Sequence, residues 1–259
     1  MTLDKISKRR LKSLTKAFEE KRRYHERQAH QRRTEHQAKP LVLSLSDNIE
    51  QLVIVQSFGI PEPKPGLIDR LLVVAQLYSL RPALVLNKTD LVPAAEVEEL
   101  ARLYRGLSVT VVSTSVLRGH GLDYLEELLV GKSSALCGHS GVGKSSLLQV
   151  LDPACVTETG SVSHAVGKGK HTTTRVRLQK LSKGGVIYDL PGLKLLPLEG
   201  LDKVGLDRYF PDIEGAARQC RFRDCRHVKE PDCAVKAALR DGLLAESRYR
   251  SYRKLLDEN

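Results

Sequence analysis

The sequence predicts an α/β protein: a mostly parallel sheet with helices on both faces, followed by a small, largely helical C-terminal domain built around metal ligands. Three observations predict it. Short apolar runs alternate with amphipathic segments from residue 41 onward, the pattern of a parallel sheet covered by helices. A glycine-rich Gly-Lys-Ser segment at 138–145 follows one such run. Three cysteines and a histidine then fall within 14 residues near the C-terminus.

The elements follow in order. Residues 1–40 hold 13 Lys/Arg and 5 Asp/Glu, so +8 of the net +11 lies there. Leu3, Ile6, Leu11, Leu14 and Phe18 recur at about helical spacing, and Tyr24 is the last sizeable apolar group before Pro40. This stretch reads as a basic arm, a short amphipathic helix running into a polar helix or a disordered segment. Strands are predicted over 52–55, 83–86, 109–112 and 134–137, with helices over 67–80, 94–104, 122–129 and 145–151. Residues 175–181 and 186–188, around Lys183-Gly184-Gly185, read as a hairpin. The expected domains are the arm (1–40), the sheet domain (41–202) and a metal-binding domain (203–259), helical from Ala234.

Composition narrows the function. With 41% hydrophobic residues, no Trp and no apolar run near membrane length, the chain is not a membrane protein. The charged N-terminus lacks a secretory h-region. A basic arm on a near-neutral body suggests a polyanionic partner, most simply nucleic acid.

Gly138-His139-Ser140-Gly141-Val142-Gly143-Lys144-Ser145 is a complete Walker A loop between a predicted strand and a predicted helix, the context that motif needs. Its backbone N–H groups and the helix N-terminus cradle phosphates, Lys144 reaches the β and γ phosphates, and Ser145 offers a hydroxyl to Mg²⁺. Ser146 is counted with the loop.

Asn87-Lys88-Thr89-Asp90 selects the base. It follows a strand, at the carboxyl edge where ligands bind. The Asp90 carboxylate can accept from guanine N1–H and N2–H₂, a donor pair adenine lacks. Asn87 can tie neighbouring loops together, and Lys88 can lay its stem over the ring. Ser113, in Ser113-Thr114-Ser115, is the candidate backbone support for the base.

Asp189-Leu190-Pro191-Gly192 can hold Mg²⁺ through Asp189 and sense the γ-phosphate through the Gly192 N–H. Thr173 or Thr174, in His171-Thr172-Thr173-Thr174, can complete the Mg²⁺ shell. The base motif at 87 precedes the phosphate loop at 138, the reverse of the ordinary order. The sheet domain is therefore a circularly permuted P-loop GTPase, whose γ-phosphate-sensing segment leads straight into the C-terminal domain.

Cys220, Cys225, His227 and Cys233 form a closed Cys₃His set, the structural kind of zinc site. Cys137 and Cys155 read as core or near-core thiols.

With these motifs assembled, the chain resembles the RsgA family of circularly permuted GTPases. Asp69-Arg70-Leu71, Asn87 to Asp90, Gly138 to Ser146, Thr159-Gly160, Gly169 to Thr174, Asp189 to Gly192 and Glu230-Pro231-Asp232-Cys233 carry the resemblance. It implies GTP hydrolysis stimulated by the small ribosomal subunit and a zinc domain that contacts the ribosome; the expected partner is that subunit with its rRNA, the expected location the cytoplasm and the expected state a monomer. It also points to His171 as a catalytic group beside Lys144. Leu193 supports that choice, because an apolar side chain there cannot orient water. The family usually carries an N-terminal OB-fold where this sequence has the basic arm. Two other readings compete: an RNA-docking factor that keeps GTP as a structural ligand, and an ATPase or kinase, which Asp90 argues against.

Overall fold

The computed structural model describes residues 48–153, 157–158, 177–189, 198, 201 and 205–258. The arm, His171, Thr173, Thr174 and Gly192 lie outside them. Among the described residues, seven strands form one sheet in the order β3-β2-β1-β4-β7-β6-β5. They are β1 (Gln51–Ser57), β2 (Arg81–Asn87), β3 (Thr110–Ser113), β4 (Ser133–Cys137), β5 (Thr157–Glu158), β6 (Arg177–Lys180) and β7 (Val186–Asp189). The five strands from β3 to β7 run parallel; β6 and β5 add antiparallel at one edge. The hairpin expected around Gly184-Gly185 is β6–β7.

β1 is buried along its whole length, which is why its sequence is a continuous apolar run rather than an alternation. Alternate residues feed two cores. Leu52 and Ile54 pack with α1 (Pro65–Leu77) and α2 (Ala94–Arg105) on one face. Val53 and Val55 pack with α3 (Leu122–Leu129) and α4 (Lys144–Leu151) on the other.

Local chemistry sets the helix ends. α1 starts earlier than predicted because Pro65 occupies its first turn, where its fixed φ suits a helix and its missing N–H costs nothing. It also stops earlier, at Leu77, because Ser79 turns left-handed (φ 54°) and Leu80 N–H closes back on the Ala75 carbonyl at 2.8 Å. β3 begins and ends one residue later than predicted, which matters for the base site below. Among the described residues, no helix is long and apolar enough to cross a membrane.

The C-terminal residues add α5 (Pro211–Ala217), α6 (Ala234–Arg240) and α7 (Glu246–Asp257), preceded by a 3₁₀ turn at Leu206–Tyr209. Their core of Phe210, Ile213, Val235, Tyr252 and Leu255 also takes in Val73 from α1. A buried polar link crosses the same contact. Arg248 on α7 donates to Asp69 of α1 at 2.6 Å and, through two nitrogens, to Asp212 of α5 at 2.9 Å each. Tyr104 of α2 donates to the same Asp69 oxygen at 3.1 Å, and the Arg248 guanidinium lies 4.7 Å from the Phe210 ring centre. Desolvation pushes the Asp69 carboxyl above its ordinary range, and Arg248 opposes that shift.

Arg248 is 1% exposed and Asp69 is fully buried. Arg248→Ala leaves that carboxylate without its counter-charge and is expected to destabilise the protein by about 3–5 kcal/mol in urea unfolding. The combined Arg248→Met and Asp69→Leu change is expected to cost much less. Equal losses in the two variants would mean that packing, and not charge, holds this contact.

Candidate nucleotide and metal sites

The sheet topology builds the first site. The chain winds from β1 to β3 in one direction and from β4 to β7 in the other, so the order reverses between β1 and β4. Crevices at such reversals, outside the carboxyl ends of the strands, are where open α/β sheets take ligands. β2 delivers Asn87 there, β4 delivers the 138–143 loop, and β7 delivers Asp189.

Asn87 joins two of these pieces. It is buried, its Nδ2 donates to the Val142 carbonyl at 2.9 Å, and its Oδ1 accepts from the Thr114 hydroxyl at 3.1 Å. Lys88 takes a left-handed turn (φ 58°) and reaches back, donating to the carbonyls of Gly141 at 2.7 Å and Ile60 at 3.0 Å. The base loop is thereby stitched to the phosphate loop. Two glycines make room for this. A Cβ at Gly143 (φ 95°) would lie 2.4 Å from Asn87 Nδ2, and one at Gly138 would lie 2.4 Å from the Val55 carbonyl oxygen.

Asp90 is half-buried and accepts a short hydrogen bond from the Ser115 hydroxyl, whose oxygen in turn accepts from the Arg118 N–H at 3.1 Å. Thr89 donates from its side chain to the Thr114 carbonyl at 3.0 Å. The side chains that support Asn87 and Asp90 are thus Thr114 and Ser115. Ser113, the residue singled out in the sequence, is the last residue of β3. The later end of β3 shifts the loop along the chain, and only the strand register carries that information.

In the phosphate loop, Lys144 Nζ donates to the carbonyls of Gly138 at 2.8 Å and His139 at 3.1 Å. Val142 is buried in the β-sheet core, whereas Ser140, Ser145 and Ser146 face solvent. Burial lowers the His139 pKa, with Lys64 and Lys144 adding to the effect, so a neutral ring stands at the mouth of the loop. Beneath it, burial pushes the Cys137 thiol up to about 12, which leaves it an unreactive core group. Asp189 Oδ1 is buried with no hydrogen-bond partner among the described residues. A buried carboxylate oxygen in that condition suits a cation, and Ser145 across the same crevice supplies a second oxygen of the type Mg²⁺ prefers.

The second site lies in the C-terminal residues. The ligand atoms of Cys220, Cys225, His227 and Cys233 all fall within 4.8 Å of one another. Cys220 and Cys233 Sγ are 3.9 Å apart, and His227 Nδ1 lies 3.6 Å and 3.4 Å from them. A tetrahedral zinc with bonds of about 2.3 Å to sulfur and about 2.0–2.1 Å to nitrogen has edges of roughly 3.8 Å and 3.5 Å. The four residues therefore fit that ion, with Nδ1 as the imidazole ligand. Burial lowers the His227 pKa and so favours the neutral, ligating ring.

Glu230 shapes this loop, a role the sequence did not signal. Its carboxylate accepts from the N–H groups of Arg226, Val228 and Lys229 at 2.8–3.0 Å. Desolvation would raise its pKa, but these backbone donors outweigh it and hold the group at about 2. Tyr249 and Tyr252 of α7 donate to the carbonyls of His227 and Arg226 at 2.6 Å and 3.1 Å, which docks the loop on the last helix.

Comparison with known proteins agrees with this geometry. The family model described as RsgA GTPase matches residues 24–199. The chain belongs to the RsgA GTPase family. A protein of Alkaliphilus metalliredigens named small ribosomal subunit biogenesis GTPase RsgA is 39% identical over 211 residues, covering 82% of this chain and 72% of the relative. One of the same name from Thermotoga petrophila is 40% identical over 214 residues, with 82% and 72% covered. The crystal structure of YjeQ from Thermotoga maritima superposes with a TM-score of 0.64 at 37% identity, over 81% of this chain and 70% of that one. YloQ, described as a circularly permuted GTPase, gives 0.59 at 31%, over 81% and 67%. As an RsgA-family GTPase, the chain carries the permuted order read from its sequence.

Proposed function

We propose that this chain hydrolyses GTP as a nucleotide-dependent switch in late assembly of the small ribosomal subunit and binds its rRNA. The names of the relatives support that task. The single observation that carries the nucleotide chemistry is the Asn87 bridge to Val142 at 2.9 Å, which couples a guanine-type carboxylate loop to a phosphate loop. In this reading Asp90 accepts from the guanine edge. The Lys144 ammonium exchanges its two carbonyl partners for β and γ phosphate oxygens, a gain in strength because those bonds are charge-assisted. Ser145, Asp189 and either Thr173 or Thr174 would hold Mg²⁺, which would supply charge neutralisation at the phosphates. His171 orients or deprotonates the attacking water, and the Gly192 N–H reads the γ-phosphate. Cys220, Cys225, His227 and Cys233 hold one structural zinc per chain.

The proposed division is a basic arm at 1–40, a GTPase domain at 41–202 and a zinc domain at 203–259, in a cytoplasmic monomer. The decisive measurement is the GTPase rate with and without purified small subunits. His171→Ala is expected to lower the stimulated kcat by roughly 10²–10⁴ with GTP affinity little changed. An unchanged stimulated rate would remove His171 from the mechanism. Absence of turnover under both conditions, with GTP still bound, would favour the docking-factor reading.

The arm is assigned to electrostatic attraction of rRNA phosphates, since it concentrates +8 of the charge. Each phosphate contact contributes about 0.7–0.9 to the slope of log affinity against log salt. Deleting 1–40 is expected to flatten that slope and weaken subunit binding while leaving GTP binding intact. Equal slopes for the two proteins would make the arm a solvated tail.

A further inference from the structure

A cleft of about 790 Å³ opens between the 58–65 loop, α2 and the start of α7. Pro63, Val92, Leu100 and Leu103 give it apolar walls, while Glu62, Glu96 and Glu99 line it with carboxylates. Glu96 and Glu99 stand three residues apart on α2 and so share a face. Arg102 also lines the cleft, as its one cationic side chain among the described residues, and lies 3.9 Å from Glu98. Glu62, Glu96 and Glu99 form no ion pair among the described residues, whereas Glu98, Glu126, Glu214 and Glu246 each have a basic neighbour. Three carboxylates outside any ion pair thus gather against the single Arg102 around one apolar cleft, with Lys64 exposed on the adjoining loop, on a chain of net charge +11.

Those two properties select the occupant. The carboxylates repel phosphates, so the cleft is not part of an RNA footprint. Apolar walls reward aliphatic side chains, and carboxylates at the opening suit ammonium or guanidinium heads whose stems lie along such walls. We infer that this cleft docks a cationic, aliphatic-rich peptide segment of a protein partner. None of the residues assigned to nucleotide or zinc lines it, so the inference stands apart from the reading of those sites. The cleft does share the 58–65 loop, whose Ile60 carbonyl anchors Lys88.

The test uses the full chain and a fluorescein-labelled twelve-residue peptide of alternating Lys and Leu, followed by fluorescence anisotropy. Saturable binding is expected. The Glu62→Gln, Glu96→Gln, Glu99→Gln triple variant is expected to weaken it about tenfold or more, as the loss of three exposed attractions implies. An alternating Glu and Leu peptide is expected not to bind. All three positions are solvent-exposed, and an unchanged melting temperature and basal GTP turnover report that the variant is folded. Wild-type peptide affinity in the triple variant overturns the inference. So does a loss of affinity for a labelled single-stranded RNA in that variant, because the carboxylates would then be serving RNA.

Discussion

Cys225→Ser is expected to abolish stoichiometric zinc binding and to release the C-terminal residues from the rest of the protein. Structural zinc supplies roughly 10–16 kcal/mol of apparent binding energy in small zinc domains, more than most domains hold in total stability. The local packing cannot replace it. Without the metal, the 220–233 loop keeps Glu230, the two tyrosine hydroxyls of α7 and the packing of Cys233 and Val228 on the C-terminal core. The sheet should survive, because its two cores are built from β1 to β4, β7 and α1 to α4 and take nothing from the ligand loop. Limited proteolysis with mass spectrometry should therefore show cleavage within 205–258 and protection of the sheet. Metal analysis should fall from one zinc per chain to none. A variant free of zinc but cleaved no faster than wild type would overturn the assignment of these four residues as a structural metal site.

Asp90→Asn is expected to cost roughly 10⁴-fold in GTP affinity, the scale on which a site built to hydrogen-bond its ligand rejects a mismatched one. The same variant should gain xanthosine nucleotides, because the new amide donates to the C2 carbonyl that xanthine carries in place of the guanine amino group. Ser115 sharpens the expectation. Its hydroxyl already donates to Asp90 Oδ1, which holds the carboxylate in one orientation, so Ser115→Ala should weaken GTP binding without changing base preference. Competition by GTP, ATP and xanthosine triphosphate for a fluorescent nucleotide separates these outcomes. Equal competition by ATP and GTP at the wild-type site would refute the guanine role of Asp90.

The motifs were legible because each is a short run whose spacing states its chemistry. Gly138 to Ser145, Asn87 to Asp90 and Cys220 to Cys233 all sit where the sequence places them, on the strand ends and the loop predicted for them. Strand and helix types were legible for the same reason: β1 and β2 are apolar runs, and α2 repeats its apolar residues at helical spacing. Less legible was which side chains of Ser113-Thr114-Ser115 hold Asn87 and Asp90. Three small polar side chains look alike in sequence, and the end of β3 decides which of them face Asn87 and Asp90. The helix at Pro211–Ala217 and the 3₁₀ turn before it were missed because each is a single short piece, too brief for a period to show.

By itself, then, the sequence determined the sheet class, the permuted motif order and the chemical character of each motif, since these rest on local periodicity and on residue type. Tertiary structure alone decided what those groups touch. The Asn87 bridge to Val142 spans 55 residues, and the Arg248 contact with Asp69 spans 179. No local pattern encodes such a pairing, because an aspartate on α1 and an arginine on α7 become partners only when packing has removed both from water and left each as the other's counter-charge.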